Sequence, residues 1–448
     1  MDSLPEALGT RYGIRPSPGA PQHSHQLHAT VVEPSDAAAG AHAPAVEFAS
    51  RRMLPRVPQG LWQQIRWPLT VYLATRAVLL VVVIVDSLWH GWSLTSEVTN
   101  WDGVWYDALA HYGYPHFAVE TQTTLGFLPL YPMAMLGLSH ISPLSNADSG
   151  LLISLVGGFI ATLLVGQLAR RWWDEAASRR VIVFFCVFPG SIVFSMAYSE
   201  GLLLPLAAGC LLAMEYRRWF LAGVLAACCT AISPVAVAII PACAAAAARE
   251  LYLRGRSDVD GRAVIGPVLR GLRDREGRRS LWAPLLAPLG LIAFGIYLWA
   301  WTGTPFASYN AQRVGWNEKS SPWAVINTFR RAISELANWH NWHHPGINLN
   351  YDSGSLGTIF LLCALWLLWR QRHRVSAAAI GWTLWVALLT LTSWATPDNP
   401  RMLLCAFPAL MVVAQRLRGR AFRWLIGCST VLLIVMSALT YYGTSLRP

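Results

Sequence analysis

Long apolar runs broken by short polar turns dominate this chain. Runs near 66–88, 150–169, 180–197, 199–216, 218–233, 234–252, 281–301, 355–370, 375–395, 401–416 and 421–441 approach the length of roughly 20 residues that carries a helix across a bilayer. Several are short and need tight turns between them. The pattern predicts an all-α polytopic membrane protein with about 11 transmembrane helices. One further run, 125–142, is interrupted by Pro129 and Pro132 within Phe127-Leu128-Pro129-Leu130-Tyr131-Pro132. Two prolines that close together break a regular helix.

Basic residues decide how to treat that run. Arg51, Arg52, Arg56 and Arg66 precede the first long run and place the N-terminus in the cytoplasm. If 125–142 crossed the membrane, Arg170-Arg171, Arg179-Arg180 and the arginine-rich 254–279 loop would be external. If it is re-entrant or interfacial, the clusters at 170–180, Arg217-Arg218, 254–279, Arg370 to Arg374 and Arg416 to Arg423 all fall inside. The second arrangement is the prediction. It makes 89–149 and 302–354 external loops, with external turns at 197–200, near Ser233-Pro234, and at 396–400. The expected location is the cell membrane, multi-pass, with polar chemistry on the extracytoplasmic side.

Composition agrees. Hydrophobic residues make up 54% of the 448 and charged ones only 13%, against about 25% charged in soluble domains. The net charge of +11 comes from arginines clustered between apolar runs, which argues against a nucleic-acid partner. Cys186, Cys210, Cys228, Cys229, Cys243, Cys363, Cys405 and Cys428 lie in or beside apolar runs without zinc-ligand spacing. Residues 1–60 are rich in Ala, Pro, Ser and His without apolar periodicity, which predicts a disordered cytoplasmic tail in which His23, His25 and His28 are solvated. The membrane domain is then 61–448.

The candidate chemistry clusters in the external segments. Residues 100–111, containing Trp101, Asp102, Trp105, Tyr106 and Asp107, can form a short helix along the membrane surface. Asp102 and Tyr106 share one of its faces, while Trp101 and Trp105 share a neighbouring one and suit the headgroup region. Asp107 points elsewhere, so Asp102 is the leading acid and an N-cap is its bland alternative. Tyr198-Ser199-Glu200 forms an external turn whose acid either caps the next helix or holds sugar hydroxyls. Arg401 opens the helix after Pro397-Asp398-Asn399-Pro400, a cation on the outer side that suits a phosphate. Arg76, about ten residues into the first run, is an intramembrane charge and a site candidate by default. The 302–354 loop carries Trp316, Trp323, Trp339 and Trp342 with His340, His343 and His344; its stretch from Trp323 to Leu336 predicts an amphipathic interfacial helix. No carboxylate completes a metal site with the histidine pair, and no metal is expected.

In order, Trp101-Asp102-x-x-Trp105-Tyr106 with Gly113-Tyr114, Phe127-x-Pro129-Leu130-Tyr131-Pro132, Phe188-Pro189, Tyr198-Ser199-Glu200, and Pro400-Arg401 with Ala406-Phe407-Pro408 resemble the PIG-V family of mannosyltransferases. The resemblance runs from about residue 60 to 440. It implies the GT-C architecture, an extracytoplasmic active site and a polyprenyl-phosphate-mannose donor. It also implies that Asp102 stands where these enzymes carry a catalytic acid in the first external loop. Family members often read Thr-Arg-Pro-x-Gly where this chain has Thr230-Ala231-Ile232-Ser233-Pro234-Val235-Ala236, without the arginine and the glycine; either the arginine's task falls to Arg401 or Arg76, or the substrate differs. The arginine bias, with Lys319 as the one lysine, suits an actinobacterial source.

The expected function is therefore transfer of mannose from the lipid-linked donor to a lipid or glycan acceptor. Asp102 acts as base and Arg401 and Arg76 meet the phosphate, while Tyr131, Tyr198 and Glu200 position hydroxyls. Membrane lipids and a small membrane subunit are the other expected partners. The rival class is a transporter or lipid flippase, which favours repeats and midplane polar sites; neither is evident in the sequence.

Overall fold

In the computed structural model, residues 60–447 are described, except 119–120, 258–263, 338–348, 396–397 and 442–445. The tail with its histidines lies outside them, as do Trp339, His340, Trp342, His343 and His344. The described residues are helical, with one isolated antiparallel bridge between Ser320 and Ser393.

The first helix, α1 (Leu61–His90), ends where Gly91 turns left-handed at φ 71°. Short helices α2 (Leu94–Val98) and α3 (Asp102–Tyr112) follow, then α4 (Leu130–Ile141). Next come α5 (Asn146–Trp172), capped by Ser145, and α6 (Glu175–Val187), capped by Asp174. At Phe188-Pro189 the chain bends by 72° into a tight turn, Pro189–Ser195, before α7 (Glu200–Glu215), α8 (Trp219–Thr230) and α9 (Ile239–Gly255). The later helices are Leu289–Thr302, Ala324–Ala337, Leu349–Arg370, Ala377–Thr392, Pro400–Cys405, Phe407–Arg416 and Gly419–Tyr441.

Among the described residues, six helical stretches are long and apolar enough to cross a bilayer: Gln64–His90, Asn146–Trp172, Pro234–Gly255, Arg275–Thr302, Leu349–Arg370 and Gly419–Tyr441. The bent pair Glu175–Val187 and Pro189–Ser195 makes a possible seventh. The expected figure of about 11 counts shorter elements as well, among them α8 with 12 residues and Ala377–Thr392 with 16. The surface suits lipid. In α1, Leu73, Leu80, Val81 and Val85 are exposed while Tyr72, Arg76, Leu79 and Val83 are buried. Polar groups turned inward and apolar ones outward are what hydrocarbon demands.

Contacts define two ends of the helical bundle. At one end Arg171 pairs with Glu215, Arg217 and Arg254 with Glu250, Arg180 donates to the Ala414 and Gln415 carbonyls, and Gln371 reaches Gln415. The arginine clusters that charge counting groups together are thus neighbours in space. At the other end Ala197 donates to the Val98 carbonyl, Thr95 to Asp148, and Trp101 to the Thr440 carbonyl. The segment 125–142 resolves here. Leu130 at the start of α4 donates to Ala231 after α8, and Ser139 near its end bonds Asn146 at the start of α5. Both ends of α4 are attached at this second end, so α4 does not cross. The helix Ala324–Ala337 turns Trp323, Ile326, Ile333 and Leu336 outward and sets Ala324, Asn327, Thr328 and Ala332 against the protein, the arrangement of an interfacial helix.

Small residues let the helices approach closely. A Cβ on Gly157 of α5 would stand 1.9 Å from the Gly201 carbonyl oxygen of α7, and one on Gly190 would stand 2.1 Å from that of Pro400. Backbone atoms cannot yield as a side-chain tip can. Gly157→Ala is therefore expected to lower thermal stability by several degrees in detergent, measured by a melting curve on purified protein.

Candidate active site

Three segments far apart in sequence meet at the second end: the start of α3, the turn before α7, and the start of Pro400–Cys405. Asn399 caps this last helix by accepting the Met402 N–H at 3.0 Å, and Pro400 sits at its first position. Together they aim Arg401 back across the turn. Arg401 Nη1 donates to the Asp102 carboxylate, its Nε lies 3.6 Å from Glu200 Oε1, and its guanidinium lies 5.3 Å from the centre of the Tyr198 ring. The Tyr198 hydroxyl accepts the Asp102 backbone N–H at 3.1 Å.

The entry to α3 is strained. Trp101 stands at φ 60°, ψ −122°, a conformation unfavourable for a bulky residue. Asn100 Oδ1 accepts the Trp101 N–H at 2.8 Å, and the indole donates to the Thr440 carbonyl at 3.4 Å. The surrounding contacts thus impose this backbone, one residue before the acid.

Burial separates the charges into roles. The side chains of Glu200 and Arg401 are 3% and 11% exposed, while that of Asp102 is 29% exposed. One cation is shared by two acids, and only Asp102 keeps an open side. Arg401 Nε is buried without a hydrogen-bond partner. The cluster can therefore present a carboxylate to a polar ligand while a held cation stands beside it.

Aromatic residues wall the site. The Tyr106 hydroxyl donates to Ser199 Oγ at 2.8 Å, and its ring packs edge-on against Phe127 and Tyr131. Burial, with Asp102 and Glu200 adding, pushes the Tyr106 phenol well above its ordinary range. Trp105 stacks on Phe127 at 6.1 Å and meets Trp316 edge-on at 5.2 Å. Trp316 comes from the 302–354 loop, where Gln312 also donates to the Gly126 carbonyl at 2.6 Å.

Other expected site residues sit apart from the open side. Tyr131 is fully buried, bonded to the Gly150 carbonyl and Ser154 at 3.0 Å each. Tyr198 is likewise buried under Arg401. Arg76 donates to the Cys186 and Ser191 carbonyls and to the Ser191 and Ser195 hydroxyls. Its two Nη groups satisfy the backbone broken at Pro189, an expensive defect at membrane depth, while its buried Nε has no hydrogen-bond partner. That turn carries Gly190 against Pro400, so Arg76 reaches Arg401 only through the backbone it fixes. Asp107 looks another way, into an open cavity of about 490 Å³ lined also by His111, Ser139, His140, Ser145 and Asn146. Burial raises its carboxyl, with His111 acting against the rise.

Sequence reasoning did not single out Ser199 as the partner of Tyr106, or Asn399 as the cap that orients Arg401. The Asn-Pro pair before an apolar run was the available signal for the second. At the divergent 230–236 segment, Thr230 bonds the Ala287 carbonyl at 2.8 Å and Pro234 opens a tight turn.

No family model and no curated protein matches the chain. Among solved structures it is similar to the oligosaccharyltransferase of Archaeoglobus fulgidus tethered to an acceptor peptide containing the NVT sequon, with 12% identity, a TM-score of 0.47, and coverage of 86% of this chain and 56% of that one. It is also similar to the archaeal oligosaccharyltransferase AglB of the same organism in complex with an inhibitory peptide and a dolichol-phosphate, with 12% identity, a TM-score of 0.41, and coverage of 87% and 57%. The chain thus spans a little over half the length of these enzymes.

Proposed function

We propose that this chain is a membrane glycosyltransferase of the GT-C type. It moves a sugar, with mannose as the first candidate, from a polyprenyl-phosphate donor to a hydroxyl of a lipid or glycan acceptor. The observation that carries the reading is the Asp102–Arg401–Glu200 cluster, drawn from three distant turns to one end of the bundle. The positive-inside rule makes that end extracytoplasmic, because the arginine clusters gather at the other.

The reaction is a direct displacement. The acceptor hydroxyl oxygen forms a bond to the anomeric carbon as the bond from that carbon to the phosphate oxygen breaks. The hydroxyl proton passes to Asp102, the acid with an open side. The electron pair leaves on the phosphate, whose charge Arg401 stabilises. The phosphate competes with Asp102 for the Arg401 donors, so substrate binding loosens an existing ion pair and frees the carboxylate for the hydroxyl. Glu200 keeps Arg401 in place meanwhile. Arg76, Tyr131, Tyr106 and Tyr198 are positioning residues in this scheme, and Trp101 and Trp105 set the height of α3. The Asp107 cavity is the place for more distant parts of the acceptor.

A transporter reading draws little support from this arrangement. Its polar groups stand at one end of the bundle, and the buried Arg76 is occupied by backbone and hydroxyl partners. The test is the purified full chain in liposomes supplied with radiolabelled polyprenyl-phosphate-mannose and a cell-lipid extract. Label is expected in a new lipid or glycan fraction. If label crosses the bilayer still attached to its carrier and none is transferred, the transporter reading replaces this one.

The backbone route from Arg76 to Arg401 makes its own prediction. Gly190→Ala is expected to lower kcat at least tenfold, because its Cβ meets the Pro400 carbonyl and shifts Arg401. A variant with wild-type turnover shows that this contact does not position the cation.

A further inference from the structure

A second cluster lies where α1 meets α2. Asp86 and His90 are one helical turn apart on the same face of α1, and Glu97 reaches them from α2. One ligand atom from each lies within 4.8 Å of the others. His90 Nδ1 stands 3.3 Å from an Asp86 carboxylate oxygen and 3.1 Å from the Asp86 carbonyl.

The state of Glu97 is the notable observation. It is fully buried, and neither carboxylate oxygen has a hydrogen-bond partner; Asp86 Oδ2 has His90 Nδ1 at 3.3 Å. The buried Tyr441 hydroxyl likewise has no hydrogen-bond partner. Two carboxylates close together and out of water, with one imidazole beside them, are costly. The Nη groups of Arg76 are already committed to Cys186, Ser191 and Ser195. The cluster's ligand set, one imidazole and two carboxylates, is one that metal proteins use.

We propose that Asp86, His90 and Glu97 bind a divalent transition-metal ion of the zinc or manganese class. One imidazole with two carboxylates suits such an ion better than magnesium or calcium, which take all-oxygen sites. The ion ties the end of α1 to α2. Because the Val98 carbonyl next to Glu97 accepts the Ala197 N–H at 2.8 Å, it also braces the approach to Trp101 and Asp102 from one side and to Tyr198 from the other. The site is structural, and the proposal stands independently of the transferase reading. The Asp86-x-x-x-His90 spacing on one helix was the available sequence signal; the third ligand came from a separate helix.

Elemental analysis of the full-length protein, purified without chelator, tests it. About one zinc or manganese ion per chain is expected, falling below a fifth of that in Glu97→Gln and in Asp86→Asn. Added zinc or manganese is expected to raise the melting temperature of chelator-treated wild type and not of Glu97→Gln. His90→Gln serves if either acid variant does not elute as a folded species. The proposal is overturned if wild type holds no ion and does not respond to either metal. It is also overturned if the variants hold as much metal as wild type. A Glu97→Gln protein more stable than metal-free wild type, with no metal in either, assigns the cluster to a shared proton instead.

Discussion

Asp102→Asn is expected to lower sugar transfer by about 10²- to 10⁴-fold, the range for loss of a general base, while the protein still folds and still holds the lipid donor. Asparagine keeps the shape and can still accept from Arg401, but it cannot take a proton at neutral pH. The side chain is part-exposed, so little packing is disturbed. Asp107→Asn, on the same helix but facing the separate cavity, is the comparison. Its effect should fall on KM for the acceptor and leave kcat within a few-fold. Initial rates with radiolabelled donor in membranes measure both. Transfer by Asp102→Asn at the wild-type rate would falsify the role given to this acid. Equal losses in kcat for the two variants would say instead that α3 matters only as a helix.

The second large effect belongs to Arg401. In Arg401→Gln, Asp102 and Glu200 lose their shared cation. Removing one partner of a buried ion pair costs about 3–5 kcal/mol, here toward the lower end because Asp102 is 29% exposed. A lower melting temperature and a loss of transfer are expected together. The combination Arg401→Gln with Glu200→Gln separates the two effects. Neutralising the buried acid removes the uncompensated charge, so stability should largely return while transfer stays low. Arg401→Lys should fold well yet transfer poorly, because an ammonium cannot span Asp102, Glu200 and a phosphate with a planar fork. Full activity in the double variant would separate Arg401 from catalysis and leave it a structural cation.

Much of this organisation is visible in the chain before it folds. The apolar runs correspond to helices because each crossing must satisfy its own backbone bonds, and the arginine clusters group together as charge counting predicts. Asp102 and Arg401 were legible as candidates because each interrupts a local rule. One is an acid beside paired tryptophans at a membrane surface, and the other a cation on the wrong side of the charge balance. Their union was not legible, since 299 positions separate them and nothing local specifies which turns become neighbours.

The same limit explains the residues whose placement differs from expectation. Tyr131 and Arg76 look like substrate contacts in a linear reading because polar groups in apolar runs are expensive. In the fold that expense is met internally, by Ser154 and Gly150 for one and by the broken backbone at Pro189 for the other. The Asp86, His90 and Glu97 cluster shows the converse: three unremarkable residues become neighbours when α2 packs against α1.

Sequence alone determined the membrane class, the helix positions and the grouping of charged ends, because these follow from hydropathy, length and charge summed over local windows. Only tertiary structure decided that both ends of α4 attach to one end of the bundle, that Arg401 lies between Asp102 and Glu200, and that Arg76 bonds Cys186, Ser191 and Ser195. Those depend on hydrogen bonds between residues remote in the chain, and whether a polar group is free for a ligand is settled only when every such bond has been assigned.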